Sequence, residues 1–280
     1  MNIKFYTPAL GIEEDAFGCA TFGFVGQENE RMPGAVSFVT DVKGFLARGS
    51  YEDCLAQIPE RPWQAGIVLL GNAGDENTFI RRLSKKVKAP LTGGGAAINP
   101  ETGEKGLIAG GGEAAVLMID DDRYACEVSC QNIHSDILGE HMLTLSGPRR
   151  LEKIDGKDAA SWLRSEKAKL GLSPDDFEHL TFSDAQGINA HLSETDGRIF
   201  SGRDLGPRML LRYAAPDCVQ ARIQAFYQDE NAVVFGCAGL KGILSGPLNT
   251  KGVGLFMFGE VCGDGFGNLM LSKIRVRRRG

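Results

Sequence analysis

Short apolar runs, broken by glycine and by charged residues, dominate this chain. The runs at 35–40, 66–70, 114–119, 233–235, 253–258 and 269–276 are rich in Val, Ile, Leu and Phe and end at turn-forming residues, which predicts strands. Three stretches carry apolar residues at helical spacing instead. Phe79, Ile80, Leu83 and Val87 line one face of 76–88. Ala159, Trp162, Leu163 and Leu170 do the same in 158–170, and Val219, Ile223 and Phe226 in 217–228, where Pro216 marks the start. The excess of strands, without strict strand–helix alternation, predicts an α+β fold with mixed β-sheets flanked by helices.

The pattern repeats itself. Residues 65–74 read A-G-I-V-L-L-G-N-A-G, and residues 231–239 read N-A-V-V-F-G-C-A-G. Each is an apolar run that stops at Gly-x-Ala-Gly. In each half a second apolar run then ends in glycine, Leu91-Thr92 into Gly93-Gly94-Gly95 and Phe256-Met257-Phe258 into Gly259-Glu260. A third run follows at 113–119 and at 268–276. The echo predicts two similar lobes, 1–148 and 149–280, with the break near Gly147-Pro148 and a ligand site at their junction.

Composition narrows the function classes. Of 280 residues, 42% are hydrophobic and 24% charged, enough for a sizeable core. A net charge of −5 argues against a nucleic-acid partner. Arg275, Arg277, Arg278 and Arg279 read as a solvated terminal charge run. The seven cysteines are irregularly spaced, and Met1-Asn2-Ile3-Lys4-Phe5 has no apolar leader, so reduced thiols and a cytoplasmic location are expected. No run approaches the roughly 18 apolar residues of a membrane span, so no membrane insertion is expected. The 37 glycines change the picture most. Many follow apolar runs directly, which places close backbone turns at strand ends where small molecules reach main-chain N–H groups.

Specific motifs stand in the second lobe. The run R-L-E-K-I-D-G-K-D-A-A-S-W-L at 150–163 resembles the D-G-K-P-A strand-turn-helix that opens the C-terminal domain of the FIST family, the F-box and intracellular signal transduction proteins. A-V-V-F-G-C-A-G-L-K-G at 232–242 is similar to that family's strand ending in a Cys-centred turn, and V-G-L-F-M-F-G-E at 253–260 to its strand ending in Gly-Glu. In the first lobe, 66–72, 89–97 and 113–119 resemble core strands of the family's N-terminal domain in abbreviated form, and the resemblance fades upstream of Gln64. It implies a FIST N-like lobe at 1–148 and a FIST C-like lobe at 149–280. It further implies a sensory input protein that binds a small ligand, an amino acid or similar metabolite, and signals through a partner protein. Some members of the family resemble haem-binding nitric-oxide sensors. Two positions depart from the family pattern. Gly239, Leu240 and Lys241 stand where an arginine commonly follows the turn cysteine, and Gly267-Asn268 stands where members carry His-Asn.

Cys237 heads the candidate residues. A thiol among glycines at a strand end can touch a ligand or sense oxidation, its ionisation favoured by backbone N–H groups; it can equally be a small buried hydrophobe. The turn is not a G-x-S-x-G elbow, because Phe235 occupies the position of the first glycine. Glu260 either ends its strand in solvent or points into the pocket to accept from an amine, with Arg203, Arg208 or Lys241 for a carboxylate. Gly93-Gly94-Gly95 and Gly110-Gly111-Gly112 read as anion nests or as tight turns and close strand packing, with a hairpin turn at 102–106 between them. His134, His141, His179 and His191 show no metal-ligand spacing, and Cys126 and Cys130 would share one face of a strand. A lone histidine, His134 or His141, could still be a haem axial ligand.

The resulting expectation is a non-enzymatic intracellular sensory protein with a small ligand held between two lobes. Its binding residues would be Cys237, Ala238, Gly239, Glu260, Gly94, Gly95, Asn72 and Arg203. No metal or cofactor is required. The rival readings are a cysteine-dependent acyl or amide transferase or hydrolase using Cys237, a haem-based gas sensor, and a module whose lobes dock a partner.

Overall fold

The structure, a computed structural model, describes residues 2–6, 17–22, 24–25, 35–39, 41–71, 74–97, 106 and 108–280. Among these, four helices are formed: α1 (Tyr51–Gln57), α2 (Glu76–Val87), α3 (Ala159–Lys169) and α4 (Pro216–Phe226). Three match the helical periods in the sequence. The fourth, α1, is short and starts at a capping box. Ser50 Oγ accepts from the Asp53 N–H, while the Asp53 carboxylate accepts from the Ser50 N–H.

The echo in the sequence corresponds to a repeated strand order. In the first repeat, Ala65–Leu70 pairs in parallel with Leu91–Gly95 on one side and antiparallel with Ala114–Ile119 on the other, and Gly44–Gly49 pairs beyond that. In the second, Ala232–Cys237 pairs in parallel with Val253–Met257 and antiparallel with Met270–Arg278, and Tyr124–Asn132 pairs beyond that. The two sheets stack. Ile67, Leu69 and Leu117 of the first and Phe235, Leu255 and Ile274 of the second share one buried cluster, joined by Ile3, Phe5 and Phe17 of a small third sheet. Val68, Leu70 and Met118, on the opposite face of the first sheet, pack under Ile80 and Leu83 of α2. Val234 and Leu271 of the second pack under Val219 and Ile223 of α4. The layers therefore run helix, sheet, sheet, helix, and the central strands Ala65–Leu70, Ala114–Ile119 and Ala232–Cys237 are apolar on both faces, as their near-continuous apolar runs require.

The repeats are interlocked and interrupted. After Val253–Met257 the chain leaves its own sheet, and the hairpin Glu260–Cys262 and Gly265–Gly267 extends the first repeat's sheet at Leu91–Gly95. The segment between Tyr124–Asn132 and α4 forms a separate antiparallel sheet of eight strands with its own core around α3. The change of repeat therefore falls at Tyr124. The expected boundary at 148 lies inside this inserted sheet, where Gly147 of Asp136–Gly147 pairs with Arg150 of Arg150–Ile154 and a tight turn joins them. The fold is α+β, with two mixed sheets flanked by helices.

Candidate functional site

Most of the expected site residues come together, but in a closed place. Glu260 stands opposite Gly94 across the hairpin junction, the Gly95 N–H donates to Gly259 O at 3.1 Å, and the Phe258 N–H donates to Gly95 O at 2.8 Å. Cys237 ends its strand beside them, and Ala238 and Gly239 begin the 3-10 turn Ala238–Gly242. The backbone N–H groups of Leu269, Gly239 and Gly259 lie near the Cys237 sulfur and favour its ionisation. Burial still wins: with the nearby Glu260 carboxyl, it pushes the thiol up to about 12. A reactive low-pKa thiol is therefore not built at Cys237.

Glu260 is wholly buried. Its Oε2 accepts from the Met270 N–H at 3.2 Å, and Oε1 has no hydrogen-bond partner among the described residues. Burial holds this carboxyl well above the usual range, against the Met270 N–H, so it carries a proton where an exposed glutamate would not. The Tyr227 hydroxyl is also buried and unpartnered among the described residues, and the side chain senses both Glu260 and Cys237. Gly236 is there because of it: a Cβ on residue 236 would sit 2.3 Å from that hydroxyl.

The cations are committed elsewhere. Arg203 donates to Asp184 Oδ2 at 2.9 Å and Ile188 O at 3.0 Å, Lys241 donates to Phe22 O at 2.8 Å, and Arg208 faces Glu140 at 3.7 Å. Glu260 is thus not half of an amino-acid clamp with any of these three. Gly93-Gly94-Gly95 is a buried strand rather than an anion nest. Its glycines are required by close approach, since a Cβ on Gly94 would lie 2.7 Å from Gly259 O. Gly110, Gly111 and Gly112 form a turn with positive φ, in which Gly111 N–H donates to Ile108 O. Asn72, and the expected hairpin turn at 102–105, lie outside the described residues.

His134 and His141, the two histidines offered as haem ligands, are held by protein. His134 is buried, with Nε2 2.7 Å from Glu178 O and Nδ1 3.0 Å from the Asn189 amide, and burial drives its pKa down to about 4. His141 Nδ1 is 2.7 Å from Asp155. Among the described residues, no group of three or more His, Cys, Asp and Glu side chains is placed to hold a metal ion. Ligation of haem iron by His134 would break a satisfied buried pair of hydrogen bonds.

At the opposite end of the stacked sheets the layer opens. A cavity of about 790 Å³ lies between the repeats, within the usual size for a small-molecule site. Its walls are Ile67, Leu117 and Ile119 from the first sheet and Val233, Val253, Ile274 and Val276 from the second. Asp41, Tyr124, Asn231 and Lys251 add polar groups. The Tyr124 hydroxyl donates to Asp41 Oδ1, and this bond, with the Arg123 charge, holds the Asp41 carboxyl below its ordinary range. A second cavity, of about 490 Å³, opens in the inserted sheet beside Phe177, Glu178 and His191. None of Cys237, Ala238, Gly239, Glu260, Gly94, Gly95 or Arg203 lines either cavity.

The cavity residues escaped sequence reasoning. The alternation that turns Val233 and Phe235 inward is legible, but which end of the layer stays open depends on how two distant sheets diverge. In comparisons with known proteins, no family model matches the chain and no curated protein matches it. What fold and cavity define is an α+β protein of two interlocked repeats with an apolar chamber between them.

Proposed function

We propose that this protein is a non-enzymatic sensory protein, of the FIST type its sequence resembles, that holds a small ligand with an apolar body between its two repeats. The observation that carries the reading is the chamber of about 790 Å³, walled by aliphatic side chains from both sheets. A ligand there would touch both repeats at once, so its binding would report on their relative packing. Asp41, which also pairs with Arg123 and Tyr124, and Lys251, whose ammonium is 3.6 Å from Glu230, put exposed charges of opposite sign on the same cavity, where a ligand's amine and carboxylate would have to compete with those partners. The ligand end of the molecule is therefore the open end of the layer, away from Cys237.

The enzyme alternative at Cys237 fares worse. With burial pushing the thiol up to about 12, the nucleophilic thiolate is scarce at pH 7. The test is calorimetry with leucine, phenylalanine, and their deaminated and decarboxylated analogues. An apolar amino acid should bind, and Asp41→Asn should weaken it at least about tenfold while sparing the deaminated analogue. If no member of the set binds at millimolar concentration, or Asp41→Asn weakens all members alike, the reading fails.

A further inference from the structure

Two cysteines that the ligand reading does not use meet where the repeats interlock. Cys130 lies on Tyr124–Asn132, directly opposite Ser272 of Met270–Arg278, and side chains of directly opposed residues share a face. That face looks onto the first repeat's sheet: the Ser272 hydroxyl is 2.7 Å from Thr92 Oγ1 and also reaches the Gly93 backbone. On that sheet Thr92 stands opposite Cys262 of Glu260–Cys262. The Cys262 thiol is 3.8 Å from Leu271 O, the residue before Ser272. The Ser272–Thr92 contact therefore brings Cys130 and Cys262 side by side at the edge of the layer, and the neighbouring Cys130 thiol and burial both raise the Cys262 thiol. Cys130 is exposed and Cys262 is buried, and both are free.

We propose that Cys130 and Cys262 are a redox modification site, closing to a reversible disulfide between the two repeats when a peroxide is the oxidant. Cys130, the exposed sulfur, attacks the peroxide. The O–O bond breaks, two electrons leave the sulfur, and one water or alcohol departs, leaving Cys130 as a sulfenic acid. The Cys262 thiol, raised by Cys130 and by burial, then hands its proton to the sulfenic oxygen as its sulfur attacks Cys130; the S–O bond breaks and water leaves. An accessible thiol backed by a buried one favours this second step over further oxidation, because the resolving cysteine is already its neighbour across the layer. The product joins a strand of the second repeat's sheet to a strand attached to the first, tying together two elements far apart in the chain.

The experiment is brief treatment of the full chain with hydrogen peroxide at neutral pH, alkylation of remaining thiols, and peptide mapping without reductant. The expected result is a Cys130–Cys262 linked peptide, lighter by two hydrogens than its parts, with two alkylatable thiols lost and both restored by dithiothreitol. Cys130→Ser, at an exposed position that the fold tolerates, should abolish the linked peptide and leave Cys262 reduced. Cys262→Ala should leave Cys130 to accumulate as sulfinic acid. Recovery of Cys130 as sulfinic acid in the unmutated chain, as a disulfide between two molecules, or bonded to Cys126 or Cys218 would overturn the proposal.

Discussion

The two ends of the layer between the stacked sheets are built from opposite materials. At the closed end, Gly93, Gly94 and Gly259 let backbone press against backbone, Gly236 makes room for the Tyr227 ring, and polar groups such as Glu260 and Tyr227 are caught inside. At the open end, β-branched Val233, Val253 and Val276 face Ile67 and Ile119 across a chamber. Glycine removes the side chain, so neighbouring backbone approaches closely; the valines and isoleucines of the two sheets leave a chamber between them unfilled. The contrast teaches that the glycine-rich turns, which drew the functional reading first, hold the repeats together, and the plain aliphatic positions make the room.

The sharpest way to break this comparison is at Gly93. Its φ is +134°, and a Cβ there would lie 1.9 Å from Val68 O of the neighbouring strand. No side-chain rotation relieves a clash with backbone. Gly93→Ala should therefore cost more than about 4 kcal/mol or prevent folding, read by urea unfolding. Val68 belongs to the same sheet, so a variant that unfolds at the wild-type midpoint would show that close approach of these neighbouring strands does not require glycine here.

Glu260 gives a second, smaller test. Its pKa is raised by burial, so the native state keeps a proton that the unfolded chain releases above about pH 4.3. Stability from this group is thus fully present below about pH 4.3 and is lost as pH rises toward the raised native value, at no more than about 1.4 kcal/mol per pH unit. Glu260→Gln cannot ionise. It should be the more stable protein at pH 8 and should flatten that part of the pH dependence, measured by denaturant unfolding across pH. An unchanged slope would mean that solvent or a cation reaches the carboxylate, and the closed end would not be closed.

How much of this was legible in the sequence follows from range. Ala114–Ile119 was readable to the residue, because an unbroken apolar run between polar turns has few other fates. The echo between 65–74 and 231–239 foretold the repeated strand order, since like local patterns form like elements. Helix α1 left only the Ser50 and Asp53 capping signal, too local to outweigh its two exposed acids, Glu52 and Asp53. Asp136–Gly147 was missed because charged and apolar residues mix along it, leaving Ile137 and Met142 exposed. Cys237, Glu260 and Gly94 lie together in the structure, yet lying together is not opening. Whether a junction packs or gapes depends on the side-chain volumes of both sheets together, which no single run records.

The mildest test acts on the open end. Val233 is half-buried on the cavity wall, between Val253 and Ile274 in the sheet. In a filled core, Val→Phe would overpack and cost about 1–3 kcal/mol. Here the larger ring has a chamber of about 790 Å³ to enter, and the aliphatic walls to contact. The expected change in stability is within about 1 kcal/mol of zero, because added apolar burial offsets whatever adjustment the neighbours make. The same ring occupies space that a ligand would need, so amino-acid binding should be lost while the thermal midpoint holds. If Val233→Phe unfolds the protein as readily as Gly93→Ala does, the two ends are equally packed and the chamber has no room for a ligand. If it folds and binds unchanged, the ligand sits elsewhere, and the cavity beside His191 becomes the place to look.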